Sequence, residues 1–332
     1  MATQRPRAKR VTIQQVAEAA GVNRSTVSRV FNNPDILLEE TVRNVREVAR
    51  KLGYSPNAAA RALRTGRNSN IALVVPDLTN PFMPPIALAV QKKASAHGYS
   101  VFIGNADEDP SQEMDLLRRL SDQVAGAVLA SPRSESARIH ALAREMPLVL
   151  INRDIEGVPR VLINSGQGMA RAVAHLAELG HRRIIYVGGP ENSWSNGQRR
   201  DAVTQAAAEH GVSIGELSAG IASFAKGVEL VPELLTRGAT ACIAFDDVLA
   251  QGICFGLAEN GLRNPEDYSV VGCDDILGYP MLTTVSGPSA VAGQKAVDLL
   301  ITSLNAPPEG DVRIVLETEF VSRQTVSVPP IS

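Results

Sequence analysis

Short apolar runs recur along residues 71–273 and are separated by stretches with helical spacing. Strands that alternate with helices in this way form parallel sheets covered by helices on both faces. The pattern predicts an α/β fold for most of the chain. It places strands at residues 71–75, 101–104, 127–130, 148–151, 161–163, 184–187, 242–245 and 270–273. The segment between the fourth and fifth runs is too short for a crossover helix, so we expect the chain to pass there from one lobe to a second.

Polar side chains follow six of the predicted strands. They are Asp77 and Asn80, Asn105, Ser131, Asn152 and Arg153, Asp246 and Asp247, and Asp274 and Asp275. Ligands of open α/β sheets bind beyond the carboxyl ends of the strands. We therefore expect many of these side chains to converge on a cleft. Others, Asp247 and Asp275 especially, can instead be loop residues or helix caps.

Charge is distributed unevenly along the 332 residues, although the net charge is only −2. Residues 1–68 contain 13 Lys and Arg against 5 Asp and Glu, whereas the rest contains 20 against 30. A basic segment on an acidic body predicts contact with a polyanion, most simply nucleic acid. On charge alone, a solvated basic tail is the alternative.

The basic segment also has the pattern of a helix-turn-helix. Thr12 and Gln15 form a capping-box pattern ahead of Val16, Ala19 and Ala20, and Gly21 ends that helix. Asn23 can cap a second helix that buries Val27 and Val30 and exposes Arg24, Ser25, Ser28 and Arg29. In a helix-turn-helix the second helix enters the major groove, where arginine can pair with guanine. A third helix at residues 39–52 closes the small core.

Pro56 stops the third helix, and the alanine-rich segment that follows is too short to be a stable helix by itself. The runs VTIQQVAEAAGVNRSTVSRVFNNP and LGYSPNAAARALRTGR resemble the DNA-binding headpiece and hinge of the lactose repressor family. DLTNPF, LAELGHRRIIYVGGP, FDDVLAQG, NPEDYSVVGCDDI and LTTV resemble its periplasmic-binding-protein-like core. The resemblance extends to about Val321. Two positions depart from the family pattern: Leu38, where a Ser or Thr cap is usual, and Asp246, where Asn is usual.

The resemblance implies a homodimer, or a higher oligomer, on double-stranded operator DNA. The residues expected at the DNA are Thr12, Arg24, Ser25, Thr26, Ser28, Arg29, Asn32, Asn57, Ala60 and Leu63. Two hinge helices would fold together in the minor groove, with Leu63 wedged into a base step. A flexible linker with a buried leucine is the alternative for this segment.

The resemblance also implies an effector bound between two lobes. Arg199, Phe224 and Asp274 are the first candidates to touch it, and Phe82, Ser131, Asn152, Ser193 and Ser195 follow. Trp194 either stacks on the effector or packs internally. Asp246 either contacts the effector or caps the next helix. Carboxylates only accept hydrogen bonds, and two of them outnumber one guanidinium, so we predict a neutral, sugar-like effector.

These observations predict a small all-α helix-turn-helix headpiece and a two-lobed periplasmic-binding-protein-like domain of parallel sheets. The expected boundaries are 1–55 for the headpiece, 56–68 for the hinge and 69–332 for the sensor. We expect one lobe at 69–163 with 289–312 and the other at 164–288 with 313–325. Because residues 1–10 lead into polar residues and no membrane-length apolar run occurs, we expect a cytoplasmic protein away from membranes.

An enzyme and an exported solute-binding protein are the rival interpretations. The chain has no dinucleotide fingerprint, phosphate-binding loop or nucleophile elbow, and its histidines lack the spacing of metal ligands. Paired aspartates are the feature that would suit hydrolysis of a glycoside. We expect no catalysis, no cofactor and no metal. Cys242, Cys254 and Cys273 are expected to be buried thiols.

Overall fold

The computed structural model describes residues 11–54 and 68–330. The chain divides into two compact units, Met1–Asn68 and Ser69–Ser332. The predicted hinge contacts Asn57, Ala60 and Leu63 lie outside the described residues.

The first unit contains three helices, α1 (Ile13–Ala20), α2 (Arg24–Asn32) and α3 (Glu39–Leu52), and a short 3₁₀ turn at Pro34–Ile36. The predicted capping box is present: Thr12 accepts from the backbone of Gln15, and the Gln15 side chain accepts from the Thr12 backbone. Gly21 ends α1 in the left-handed conformation with φ 68°. Asn23 caps α2, since its Oδ1 accepts from the Thr26 amide at 2.8 Å.

The core of this unit consists of buried residues from all three helices, namely Val16, Ala17, Val27, Val30, Val45 and Ala49. Ala17 is buried where the sequence pattern predicted Ala19, which is exposed. The helix α3 has the predicted bounds. It begins without a side-chain cap, because Leu38 occupies the N-cap position and is 78% exposed.

The second unit has two lobes. In the first lobe, strands β1 (Asn70–Val75), β2 (Ser100–Asn105), β3 (Ala127–Ala130), β4 (Leu148–Ile151), β5 (Arg160–Ile163) and β11 (Arg313–Leu316) form one parallel sheet in the order β11-β5-β4-β3-β1-β2. Its helices are α4 (Met83–Ala96), α5 (Pro110–Leu120), α6 (Ser136–Glu145) and α11 (Ser289–Asn305). Ile71, Leu73, Ile86 and Val297 belong to its buried core.

In the second lobe, strands β6 (Arg183–Gly188), β7 (Ser213–Ser218), β8 (Ala241–Ala244) and β9 (Ser269–Val271) form a parallel sheet in the order β7-β6-β8-β9. Strands β10 (Thr284–Ser286) and β12 (Glu319–Val321) pair antiparallel beside it. The helices are α7 (Ser165–Leu179), α8 (Trp194–His210), α9 (Phe224–Thr236) and α10 (Asp247–Glu259). Cys242, Cys254 and Cys273 are buried free thiols in this lobe, as predicted.

Two predictions about the lobes were wrong. Strands β4 and β5 pair with each other in parallel, so the short loop between them stays within the first lobe. Strand β11 pairs with β5 in the first lobe, although residues 313–325 were assigned to the second. The sequence pattern could not reveal this because β11 is an edge strand of four residues with an alternating, half-exposed pattern.

The chain passes between the lobes three times, after β5, after β10 and after β11. The three passages lie together. A β-carbon on Gly287 would be 2.9 Å from Cγ2 of Ile163 and 3.5 Å from Cγ2 of Thr318. The Thr318 hydroxyl also donates to the carbonyl of Asn164 at 2.8 Å. Among the described residues, we find no helix with the length and apolar character needed to cross a membrane.

Candidate functional site: an exposed recognition helix and a cleft between two lobes

The helix α2 presents the polar side chains predicted to contact DNA. Arg24, Ser25 and Arg29 are exposed, whereas Thr26 and Ser28 are half-buried. Thr12 is exposed at the start of α1, and Asn32 is the last residue of α2. The hydroxyls of Ser25 and Thr26 both donate to Oδ1 of Asn23, at 2.6 and 2.8 Å. Their oxygens can still accept hydrogen bonds from a ligand.

The second unit contains a cavity between its lobes, at the carboxyl ends of strands from both sheets. The space in it that is free of atoms is about 510 Å³, part of which is open solvent. Eight of the ten predicted effector residues line this cavity: Phe82, Ser131, Asn152, Ser193, Ser195, Arg199, Asp246 and Asp274. Of the polar residues predicted to converge after the strands, six line the cavity: Asp77, Asn80, Ser131, Asn152, Asp246 and Asp274. The other four do not line it: Asn105, Arg153, Asp247 and Asp275.

The backbone around the cavity is strained. Glu108, Ser131, Asn152 and Asp274 have φ angles of 58°, 47°, 52° and 109°, in the region that favours glycine. All four follow the carboxyl end of a strand and line the cavity. Strain of this kind persists only where surrounding contacts enforce it, and it concentrates at functional sites.

Arg199 is the centre of a buried polar network. Its Nε donates to Ser165 Oγ at 3.1 Å, one Nη donates to the carbonyl of Phe245, and the other donates to Asp274 Oδ1 at 2.8 Å. The guanidinium carbon lies 4.8 Å from the centre of the Phe245 ring. Burial raises the pKa of Asp274 to about 7, with Arg199 opposing this and Asp246 adding to it. Burial would lower the pKa of Arg199, but Asp274 offsets this and the pKa stays above its usual value.

Asp246 caps a helix and also reaches the opposite lobe. Its Oδ1 accepts from the Leu249 amide at 2.8 Å, which makes it the N-cap of α10. Its Oδ2 accepts from Asn80 Nδ2 at 3.1 Å. Burial raises the pKa of Asp246, while the bonds from Leu249 and Asn80 oppose that rise. The helix-cap alternative for this residue is confirmed, whereas its contact with the effector stays a prediction.

The sequence analysis missed an ion pair in the lining. The Arg133 guanidinium donates through Nε and Nη2 to the carboxylate of Glu108, the latter at 2.9 Å, and through Nη1 to the carbonyl of Ser131 at 2.7 Å. Arg133 itself is held by Glu113, whose buried carboxylate accepts from its amide. Arg133 lies two residues beyond the strand-end serine, so a search one or two positions further along would have found it.

Two predicted effector residues do not line the cavity. Phe224 begins α9, is 43% exposed, and its ring lies 5.5 Å from that of Phe255. Ala222 lines the cavity in its place. Trp194 borders a separate groove at the edge of the cleft, whose walls include Arg133 and Arg153 of the first lobe.

Comparison with known proteins gives two family matches in the order of the two units. Residues 12–57 match "Bacterial regulatory proteins, lacI family", and residues 68–323 match "Periplasmic binding proteins and sugar binding domain of LacI family". The second match covers most of the chain.

Similar proteins cover nearly the whole chain. The HTH-type transcriptional regulator DegA of Bacillus subtilis (strain 168) is 33% identical over 96% of this chain and 98% of its own. A lac repressor dimer bound to operator and the anti-inducer ONPF aligns with a TM-score of 0.85 and 25% identity, covering 96% of this chain and 100% of that one. The transcriptional regulator CelR in complex with cellobiose aligns with a TM-score of 0.68 and 30% identity, covering 95% and 100%.

Proposed function

The chain belongs to the LacI family of bacterial transcriptional regulators, and we propose that it is a repressor whose affinity for operator DNA is set by a sugar-like effector. The observation that carries the proposal is the polar cavity at the carboxyl ends of both sheets, in a chain that also has an exposed recognition helix. The repressor would act as a homodimer, in keeping with the lac repressor dimer to which it is similar.

Operator recognition is assigned to α2. Arg24 lies in its first turn and would read a base edge, whereas Arg29 lies in its last turn and would meet the backbone. Binding should be measured on a two-fold symmetric site and on its base-substituted variants. Arg24→Ala should cost about 1–3 kcal/mol and relax specificity at one position. Arg29→Ala should weaken all sites alike and reduce the salt slope by about 1. Uniform loss across every base for both variants would contradict the assignment.

We propose a boundary near residue 68, with residues 1–55 as headpiece and 56–68 as hinge. The buried cores of the two lobes use residues of the second unit alone, which supports independent folding of that unit. Deletion of residues 1–68 should leave a folded dimer that still binds effector and no longer binds operator. An unfolded product would contradict the boundary.

The effector is proposed to be a neutral polyhydroxylated compound. Four carboxylates line the cavity, those of Asp77, Glu108, Asp246 and Asp274, against the guanidinium groups of Arg133 and Arg199. Both guanidinium groups are already paired with carboxylates. An anionic ligand would meet an excess of negative charge and no unpaired cation in the lining, whereas hydroxyl groups would find acceptors.

Calorimetric titration of the full chain with neutral sugars, nucleosides and sugar phosphates tests this proposal. A neutral sugar should bind and Asp274→Ala should abolish its binding. Arg200→Met, on the exposed face of α8, is the matched control and should bind as the wild type does. Tight binding of a phosphorylated compound, or undiminished sugar binding by Asp274→Ala, would overturn the proposal.

We further propose that the chain is a cytoplasmic sensor and not an enzyme, because DNA-binding regulators are the proteins to which it is similar. A sensor returns its ligand intact, whereas an enzyme converts it. Chromatography of the bound sugar after long incubation distinguishes the two. Recovery of a converted product would contradict this part of the proposal.

A further inference from the structure

The cleft is bridged by a side-chain hydrogen bond between the lobes. Asn80 belongs to the turn after β1 in the first lobe, and Asp246 caps α10 in the second. The distance from Asn80 Nδ2 to Asp246 Oδ2 is 3.1 Å. Among the described residues, we identify one other hydrogen bond from a side chain to the opposite lobe. It lies at the rim of the cleft, where Arg153 Nη1 donates to the carbonyl of Asn192 at 3.5 Å.

Both partners of this bond are held in place by their own lobes. Asn80 Oδ1 accepts from the Phe82 amide at 3.0 Å, which turns the amide nitrogen of the side chain toward the second lobe. Asp246 Oδ1 accepts from the Leu249 amide at 2.8 Å, which leaves Oδ2 for the first lobe. The two groups therefore meet in a fixed orientation whenever the lobes are close, and the bond is lost when they separate.

We infer that Asn80 is a positioning residue, which together with Asp246 forms a latch that holds the cleft closed before any effector is bound. A hydrogen bond to a charged acceptor is among the stronger ones available to side chains. The latch does not need the proposed function to operate. Its consequence for sensing rests on that function, because an entering effector has to fit beside this bond or replace it.

Exchange of the two residues provides a sharp test. In Asp246→Asn the side chain has one oxygen in place of two. That oxygen cannot accept both from the Leu249 amide and from Asn80 Nδ2, so one of the two hydrogen bonds is lost. In Asn80→Asp two carboxylates face each other. In the double variant, the carboxylate at position 80 can accept from the Phe82 amide and from the side-chain amide at position 246, whose oxygen can still cap α10. All three hydrogen bonds are therefore retained with the direction of the central bond reversed.

The chain provides its own reporter of lobe separation. Trp194 is the single tryptophan, and it borders a groove whose opposite wall includes Arg133 and Arg153 of the first lobe. Trp194 is half-buried in the closed cleft, and separation of the lobes should increase its exposure to acrylamide. Quenching of its fluorescence is measured on the full-length protein without DNA or ligand. Asp109→Asn is the matched control. The Asp109 side chain also caps a helix, α5, but within the described part of the chain it accepts hydrogen bonds only from Ser111 and Gln112.

We expect each single variant to be quenched more strongly than the wild type, with a shift of about tenfold in the ratio of open to closed protein. The double variant should return toward the wild-type value, and Asp109→Asn should match the wild type. Single variants quenched like the wild type would overturn the latch, and so would a double variant quenched like the singles. Because no sugar is used, failure here is separate from failure of the proposed effector class.

Discussion

Replacement of Arg199 by methionine is the perturbation whose outcome the structure specifies best. Methionine fills much of the volume of arginine but removes the hydrogen bonds to Ser165, Phe245 and Asp274. The side chains of Arg199 and Asp274 are 5% and 7% exposed. Above a pH of about 7, where Asp274 is ionised, the substitution therefore leaves a buried carboxylate without its cation.

Breaking a buried ion pair by removing one partner costs about 3–5 kcal/mol, mostly because the remaining charge is uncompensated. At roughly 2–4 °C per kcal/mol for a domain of this size, the transition of the second unit should fall by about 10 °C. Adding Asp274→Asn removes the stranded charge. The double variant should then recover about half of the loss, a non-additivity typical of residues in contact.

Differential scanning calorimetry of the full chain measures this directly. Arg200→Met is the matched control, because Arg200 is the next residue of α8 and its side chain is 47% exposed. Its effect should stay within about 0.5 kcal/mol. The reasoning fails if Arg199→Met is no more destabilising than Arg200→Met, or if Asp274→Asn adds to its cost.

Three further predictions concern single residues. Leu38→Ser should provide the missing cap of α3 and raise the unfolding free energy of the headpiece by about 1 kcal/mol, measured as slower hydrogen exchange of the Thr41 amide. Burial raises the pKa of Asp274 to about 7, so between about pH 4 and 7 the folded protein holds a proton that the unfolded chain has released. The unfolding free energy should therefore fall as the pH rises through that window, and it should fall less in Asp274→Asn. Melting temperature measured against pH tests this. Glu108→Gln should leave the charge of Arg133 uncompensated, so that inorganic phosphate raises the melting temperature of the variant and leaves the wild type unchanged.

Much of the first unit was predictable because local rules dominate there. The capping box at Thr12, the left-handed Gly21, the Asn23 cap and the bounds of α3 each follow from a few neighbouring residues. The eight predicted strands are also present. Seven of them are buried, and buried strands of parallel sheets are apolar throughout. The eighth, β2, is apolar although Phe102 and Ile103 in it are exposed.

The missed strands are those without such a signal. Strand β7 is a half-exposed edge with the sequence SIGELS, and β10, β11 and β12 have three or four residues each. Their place is set by partners distant along the chain, as with β11 on β5. The same limit applies in the cleft. Their positions after predicted strands identified Asp246 and Asn80 as candidates for the cleft. No local pattern indicates that these two residues, 166 positions apart, are hydrogen-bonded to each other.

The three passages near Gly287 have a mechanical consequence. A single passage would let the lobes rotate about many axes. Three passages side by side restrict the lobes mainly to rotation about one hinge axis. A small change of spacing at the cavity thus becomes a larger displacement at the far edges of the lobes. Covalent continuity is also redundant there. The exposed segment 306–311 joins α11 to β11 within the first lobe, so a protease cut there would leave all three passages uncut, and the nicked chain should migrate as one species until it is denatured.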